Sequence, residues 1–322
     1  MQLGKNNGHG RKVAARHGNG PGAGVPLIFV AMRVLPLFFS LALAASLTAQ
    51  AGPPQLLLQV AKFRNLDQVQ KGGEVEISVV VPTQPLTYRQ RAPKSFQSSA
   101  VVDLDILKAD GTSAWHETVT LKPPVLSDTT IAIKNPLSFL KRVTVPDGSY
   151  TLRGRIRDQY KSANGETIVE QQLVVAAPTA PAFSDLVFLA KPAAKAGAES
   201  VFNRGGYLLT RAGGGYYGRG ADNIFFYTEL NAVPAGRKVS LHYHLAAEDG
   251  TAADADAPLV TTQGGRPTAI VGQLPLGPIP AGPFTLTIEA RDATTKKVLA
   301  TQSQSGQRSL TEYAPAGAAV PR

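Results

Sequence analysis

"VPDGSYTLRGRIRD" (145–158) and "IPAGPFTLTIEARD" (279–292) are the two stretches that decide the fold. Pro, Gly, an aromatic, Thr-Leu and Arg-Asp recur in step, 134 residues apart. In each copy a Pro-x-Gly turn is followed by an aromatic and then by apolar residues at period two, which predicts a turn and then a strand. Phe284, Leu286, Ile288 and Ala290 share one face of the second copy. In the first, Tyr150, Leu152 and Ile156 are the apolar markers and Gly154 interrupts the alternation. The closing pairs Arg157-Asp158 and Arg291-Asp292 read as structural, since Asp can accept backbone N–H bonds in the turn after a strand.

A second phrase repeats. "LDILKADGT" (104–112) and "YHLAAEDGT" (243–251) share a strand and an Asp-Gly-Thr turn at an offset of 139 residues, and Asp-Gly between strands is a strong hairpin signal. Two phrases in one order at nearly one offset predict a duplicated β-domain. An aromatic opening a late strand matches the tyrosine corner of immunoglobulin-like sandwiches. The expected fold is therefore all-β: two tandem immunoglobulin-like β-sandwiches, at 55–175 and 184–313, joined by a linker at 176–183. "TTIAI" (129–133) is expected as a strand and "PLSFLKR" (136–142) as one helical turn. Residues 314–322 read as a disordered tail.

Composition bounds the chemistry. The 322 residues include no Cys, which excludes disulfides, thiolate metal sites and Cys nucleophiles. "MRVLPLFFSLALAASLTAQA" (32–51) has a start-like Met, a basic Arg33, an apolar run and a small-x-small end at Ala49-Gln50-Ala51, as a secretory signal does. Residues 1–51 are read as an N-terminal extension plus this signal, and an uncleaved signal would be the one membrane contact. The formal net charge is +10, but Lys5, Arg11, Lys12, Arg16 and Arg33 lie in that segment with no acid, leaving +5. That excess is too weak to imply nucleic acid.

Four side chains of "RAGGGYYGRG" (211–220) are the candidate ligand-binding set. Tyr216 and Tyr217 could stack on sugar rings or enter a partner surface, and Arg211 or Arg219 could pair an anion. Gly213, Gly214 and Gly215 permit positive φ and close approach. The blander reading is an inter-strand loop whose tyrosines cover a core edge. His242 and His244 share a strand face and form a weak candidate metal pair without a third ligand. "DGTAADADA" (249–257) offers Asp249, Asp254 and Asp256 on what reads as a solvated hairpin loop. Asp103 and Asp105 share a strand face, but one strand cannot make the carboxylate pair of a glycosidase. No catalytic set and no cofactor are expected.

"NRGGYLLTRAGGGYYGRGADNIFFYTELN" (203–231) resembles the non-catalytic region of the GWxTD-motif proteins, an exported bacterial family. That family has a Gly-Tyr strand, a loop ending in Tyr-Gly and a Tyr-x-Glu strand in this order. Here these are Gly206-Tyr207, Tyr217-Gly218 and Tyr227-Thr228-Glu229. "PLTYRQRAPKSFQSSAVVDLDIL", "SDTTIAI" and "VPDGSYTLRGRIRD" look similar to it as well. The naming motif is absent: the single Trp115 is followed by His116. The resemblance implies an exported β-fold and no activity.

The expected function is that of an exported, non-enzymatic envelope protein, in the periplasm rather than at the cell surface or outside. It would bind a protein or glycan partner through loops of the second domain. The alternative is an accessory module or subunit of a polysaccharide- or peptide-acting hydrolase.

Overall fold

The computed structural model describes residues 53–65, 72–130, 135–161 and 165–309. The signal segment and the tail expected at 314–322 lie outside the described residues, as does Ile131–Ile133 of the expected strand at 129–133. No helix among the described residues is long and apolar enough to cross a membrane.

The strands run in chain order. The N-terminal half holds β1 (Leu57–Arg64), β2 (Gly73–Val81), β3 (Arg89–Ala92), β4 (Ser95–Gln97), β5 (Ala100–Lys108), β6 (Ser113–Leu121), β7 (Leu137–Val145), β8 (Gly148–Asp158) and β9 (Glu166–Val175). The C-terminal half holds β10 (Ala182–Phe183), β11 (Val187–Leu189), β12 (Ala194–Lys195), β13 (Asn203–Arg204), β14 (Tyr207–Leu208), β15 (Tyr216–Tyr217), β16 (Asn223–Asn231), β17 (Lys238–Ala247), β18 (Ala252–Thr261), β19 (Thr268–Pro275), β20 (Gly282–Asp292) and β21 (Val298–Arg308).

The described residues are nearly all β and immunoglobulin-like. In the N-terminal sandwich a sheet of order β1-β2-β7 packs on one of order β6-β5-β8-β9. In the C-terminal sandwich β16 pairs β10, β11 and β19, and this sheet packs on one of order β15-β21-β20-β17-β18. Matching positions in the two orders pair β2 with β16, β5 with β17, β7 with β19, β8 with β20 and β9 with β21. The sequence repeat is thus a repeat of topology.

Alternation explains the cores. On β20, Phe284, Leu286, Ile288 and Ala290 are buried on one face. On β8, Tyr150, Leu152 and Ile156 do the same, and the Tyr150 hydroxyl donates to the Pro146 carbonyl at 2.9 Å. That bond is a tyrosine corner. The second copy has Phe284 in its place, which buries its ring without a hydroxyl. The aspartates of the two Arg-Asp pairs are structural: Asp158 accepts the backbone N–H of Thr87 and of Tyr160. Asp292 accepts those of Thr294 and Thr295 and the Arg237 Nε.

Residues 136–142 are not a helical turn. Leu137 to Val145 form β7, paired along its length with β2. Leu137, Phe139, Val143 and Val145 face the core, while Leu140 and Arg142 face outward and are covered by the C-terminal half. Burial of both faces hides the period-two signal. The stretch 252–257 is likewise strand, not loop, since β18 pairs β17 from Ala252 onward.

The described residues form one compact unit. The outer face of β1-β2-β7 is covered by the C-terminal half. Ala61 and Phe63 pack there with Val187, Leu189, Leu209 and Tyr227. Register puts Gln59, Ser78 and Leu140 in one row of that face, and Ala61, Glu76 and Arg142 in the next. Glu76 is 1% exposed. It accepts from Arg142 Nε at 2.8 Å and pairs with Arg204 at 3.4 Å and with Arg211. Arg204 also pairs with Glu74, donates from Nε to Glu229 at 2.8 Å and lies 3.7 Å above the Phe63 ring centre. Three arginines and three glutamates therefore balance one another between the halves.

The hydrogen bonds from Thr295 and the Arg237 side chain, opposed by burial, hold the Asp292 carboxyl well below the usual carboxylate range. A depressed folded-state pKa contributes stability above about pH 4 that is lost as pH falls toward the folded value. Asp292→Asn should lower Tm at pH 7, and the gap from the parent should narrow below about pH 4. A pH series of melting curves reads this directly. Glu76→Ala strands buried arginines and should cost about 3–5 kcal/mol in chemical denaturation, far beyond a surface change.

Candidate functional site

The backbone of the glycine stretch turns as only glycine readily does. Gly214 and Gly215 both have φ of 68°, and Gly213–Gly215 form a short 3-10 turn. The turn hands the chain to β15, which pairs in parallel with β21 at Gln307 and Arg308. Strand alternation then sends the two tyrosines to opposite sides. Tyr217 is buried among Phe188 and Phe284, with ring centres 6.0 and 6.1 Å away. Its hydroxyl donates to the carbonyls of Leu189 at 2.9 Å and Phe225 at 3.2 Å, and burial pushes its pKa upward. Tyr216 is 42% exposed.

The four residues expected to bind ligand together are thus divided. Tyr216 and Arg219 face solvent. Tyr217 is a core residue, because its ring fills the space beside Phe284 and the Leu189 carbonyl it serves is buried. Arg211 is held inside by Glu76 and donates weakly to the Leu209 carbonyl at 3.4 Å. Burial pulls its pKa down against the attraction of Glu76. Burial also opposes the charge on Arg204, but the attraction of Glu229, Glu76 and Glu74 outweighs it and that pKa is raised. An exposed Arg211 waiting for an anion is therefore corrected to a buried, already paired one.

Arg211 nonetheless reaches a cavity. A cleft of ≈ 210 Å³ lies between the two halves beside the glycine turn. Its polar lining is Gln59, Glu76, Ser78, Gln171, Arg211 and Gln304. Val60, Leu140, Leu186 and Phe188 supply apolar wall. Gln59 ties the cleft to the turn, since its Oε1 accepts the Gly214 N–H at 3.1 Å. Sequence reading missed Gln59, Glu76, Ser78, Gln171 and Gln304, which come from four strands, β1, β2, β9 and β21, spread along the whole described chain. The one local signal was Glu74 and Glu76 on a strand with Val75, Ile77 and Val79 on its other face.

A second recess of ≈ 250 Å³ borders the same charge network through Glu74, Arg142, Asn203, Arg204, Tyr227 and Glu229. Gly205 makes room there, with φ of 55° and an added Cβ lying 2.2 Å from the Tyr227 hydroxyl. That hydroxyl donates to Glu229 Oε1 at 2.7 Å. Among the described residues Asn203 Oδ1 and Glu229 Oε2 have no hydrogen-bond partner, and atoms of this kind are what ordered water bridges.

His242 and His244 share the outer face of β17, opposite Leu241, Tyr243 and Leu245. Each meets acid from β18. His242 Nδ1 is 2.9 Å from Asp256 and its Nε2 3.3 Å from Asp254, while His244 Nδ1 is 2.8 Å from Asp254. The hydrogen bond with His244, opposed by burial, leads in lowering the Asp254 pKa. Asp249 instead closes the hairpin, accepting the Thr251 N–H. The N-terminal sandwich inverts the ladder: Asp105 on β5 meets His116 on β6 at 2.7 Å, and Asp103 accepts from Thr118 at 2.6 Å. Among the described residues no group of three or more His, Asp or Glu is placed to hold a metal ion.

No protein-family model matches the chain, and no curated protein matches it. Solved structures with a similar arrangement include a Bacteroides uniformis beta-glucuronidase, at 9% identity and a TM-score of 0.30 over 74% of this chain and 26% of that one. A tetra-tandem repeat in the extending region of a large adhesion protein is similar at 14% identity and a TM-score of 0.22, over 79% of this chain and 49% of that one. Red sea bream transglutaminase is similar at 8% identity and a TM-score of 0.22, over 78% and 31%. The chain spans from about a quarter to about half of the length of these structures.

Proposed function

We propose that the chain is an exported, non-enzymatic binding protein of the cell envelope. It recognises a protein or glycan partner through the glycine-tyrosine loop of the C-terminal sandwich and the cleft beside it. The observation that carries this reading is the division of labour at 216–217. Tyr217 is fastened into the core by two hydrogen bonds, and this anchors the backbone that presents Tyr216 to solvent. An exposed aromatic on a fixed backbone loses little entropy on binding, which is what a recognition anchor needs. The signal-like segment 32–51 and the resemblance to exported GWxTD-motif proteins support the envelope setting.

The test is capture of envelope protein and wall glycan by immobilised protein lacking residues 1–51. Tyr216→Ala should weaken capture about tenfold, as loss of a hot spot does. Its Tm should stay within about 2 °C of the parent, as for an exposed site. Tyr217→Phe should do the reverse, costing about 1 kcal/mol of stability for the lost hydroxyl bonds while capture persists. Capture indifferent to Tyr216→Ala and to Arg219→Ala would remove the loop as the recognition surface.

A further inference from the structure

We infer that the cleft between the two sandwiches is a subsite for one neutral sugar ring. The inference rests on the binding reading above and names the ligand class for the same site.

The lining argues by charge first. Glu76 and Arg211 are the charged residues of the cleft, and they are spent on each other. Glu76 holds Arg142 and Arg204 as well. A free anion or cation entering here would lose its hydration and gain no uncompensated counter-charge, which disfavours both. What remains is a ring of neutral donors and acceptors. The Ser78 hydroxyl and the Gln171 amide make no hydrogen bond within the protein among the described residues. Gln59 uses its carbonyl on Gly214 and keeps its amide N–H groups. Gln304 uses its N–H on the Ser305 carbonyl at 3.1 Å and keeps its oxygen. Each sugar hydroxyl both donates and accepts, so a wall that offers both kinds of partner suits a polyol better than a charged or purely apolar guest.

The apolar side argues next. Val60, Leu186 and Phe188 line the same space and match the C–H face of a pyranose. The cleft volume of ≈ 210 Å³ is on the scale of a single sugar ring. The groups are also fixed in place: Gln59 and Ser78 are opposite each other on paired strands, and Gln171 and Gln304 lie on β9 and β21, the equivalent last strands of the two sandwiches. Duplication of the domain is therefore what supplies two opposing glutamines. Tyr216 stands outside this space, on the glycine turn that Gln59 holds.

The experiment is titration of the protein lacking residues 1–51 with glucose, galactose, mannose, N-acetylglucosamine and their disaccharides, followed by calorimetry and NMR. Glucuronate and glucosamine serve as charged counterparts. At least one neutral sugar should bind at one per chain. Gln171→Leu combined with Ser78→Ala should weaken it about tenfold or more with Tm unchanged. If neither variant residue matters in a folded protein, if no neutral sugar binds, or if the charged counterparts bind more tightly, the inference is overturned. Capture of envelope material by the same preparations separates the two readings. Capture that depends on Tyr216 with no sugar binding overturns the subsite alone. Sugar binding that persists while capture ignores Tyr216 overturns the loop alone.

Discussion

Glu76 is the residue on which the assembly of the two sandwiches depends. It lies on the outer face of β2, where an isolated sandwich would show it to water. Three arginines, from β7 and from the C-terminal half, converge on it instead. A carboxylate at 1% exposure is tolerable only with such compensation. Once it is made, the halves cannot separate without stranding charge. A buried ion network is weak evidence of net stability, but removing one partner leaves the others buried and uncompensated. Here two of its members, Glu76 and Arg211, also line the cleft between the sheet faces.

That geometry gives the glycine stretch its meaning. By itself "RAGGGYYGRG" reads as a flexible loop with four side chains to offer. In the folded chain Arg211 points to Glu76 and Tyr217 to Leu189 and Phe225. Only Tyr216 and Arg219 remain for a partner. The loop is best described as a pinned segment with one exposed ring. Its conformation is set by positive-φ glycines on one side and by pairing with β21 on the other.

The His–Asp ladders are a cautionary contrast. Two histidines on one strand face invite a metal, yet β18 supplies an aspartate to each. The N-terminal sandwich has the same contacts with acid and base exchanged between strands. Recurrence with reversed polarity is what cross-strand pairing selects, since the pair and not the residue contributes the energy.

The sequence by itself determined what is local or repeated. Period-two alternation, Pro-x-Gly and Asp-Gly turns and the two phrases established an all-β, immunoglobulin-like chain, because strand faces and hairpins are encoded within a few residues. Even the roles of Tyr150, Asp158 and Asp292 were legible from position in the repeat. Tertiary structure alone decided the rest. β7 escaped detection because Leu140 is buried and Arg142 half-buried on the face that ought to be polar. Residues 252–257 read as loop because polar Asp254 and Asp256 sit on an edge strand. The cleft gathers Gln59, Gln171 and Gln304, whose separations along the chain carry no period. Contacts between two sheet faces arise from how the faces dock, and no local pattern records which partner a Glu at position 76 will meet.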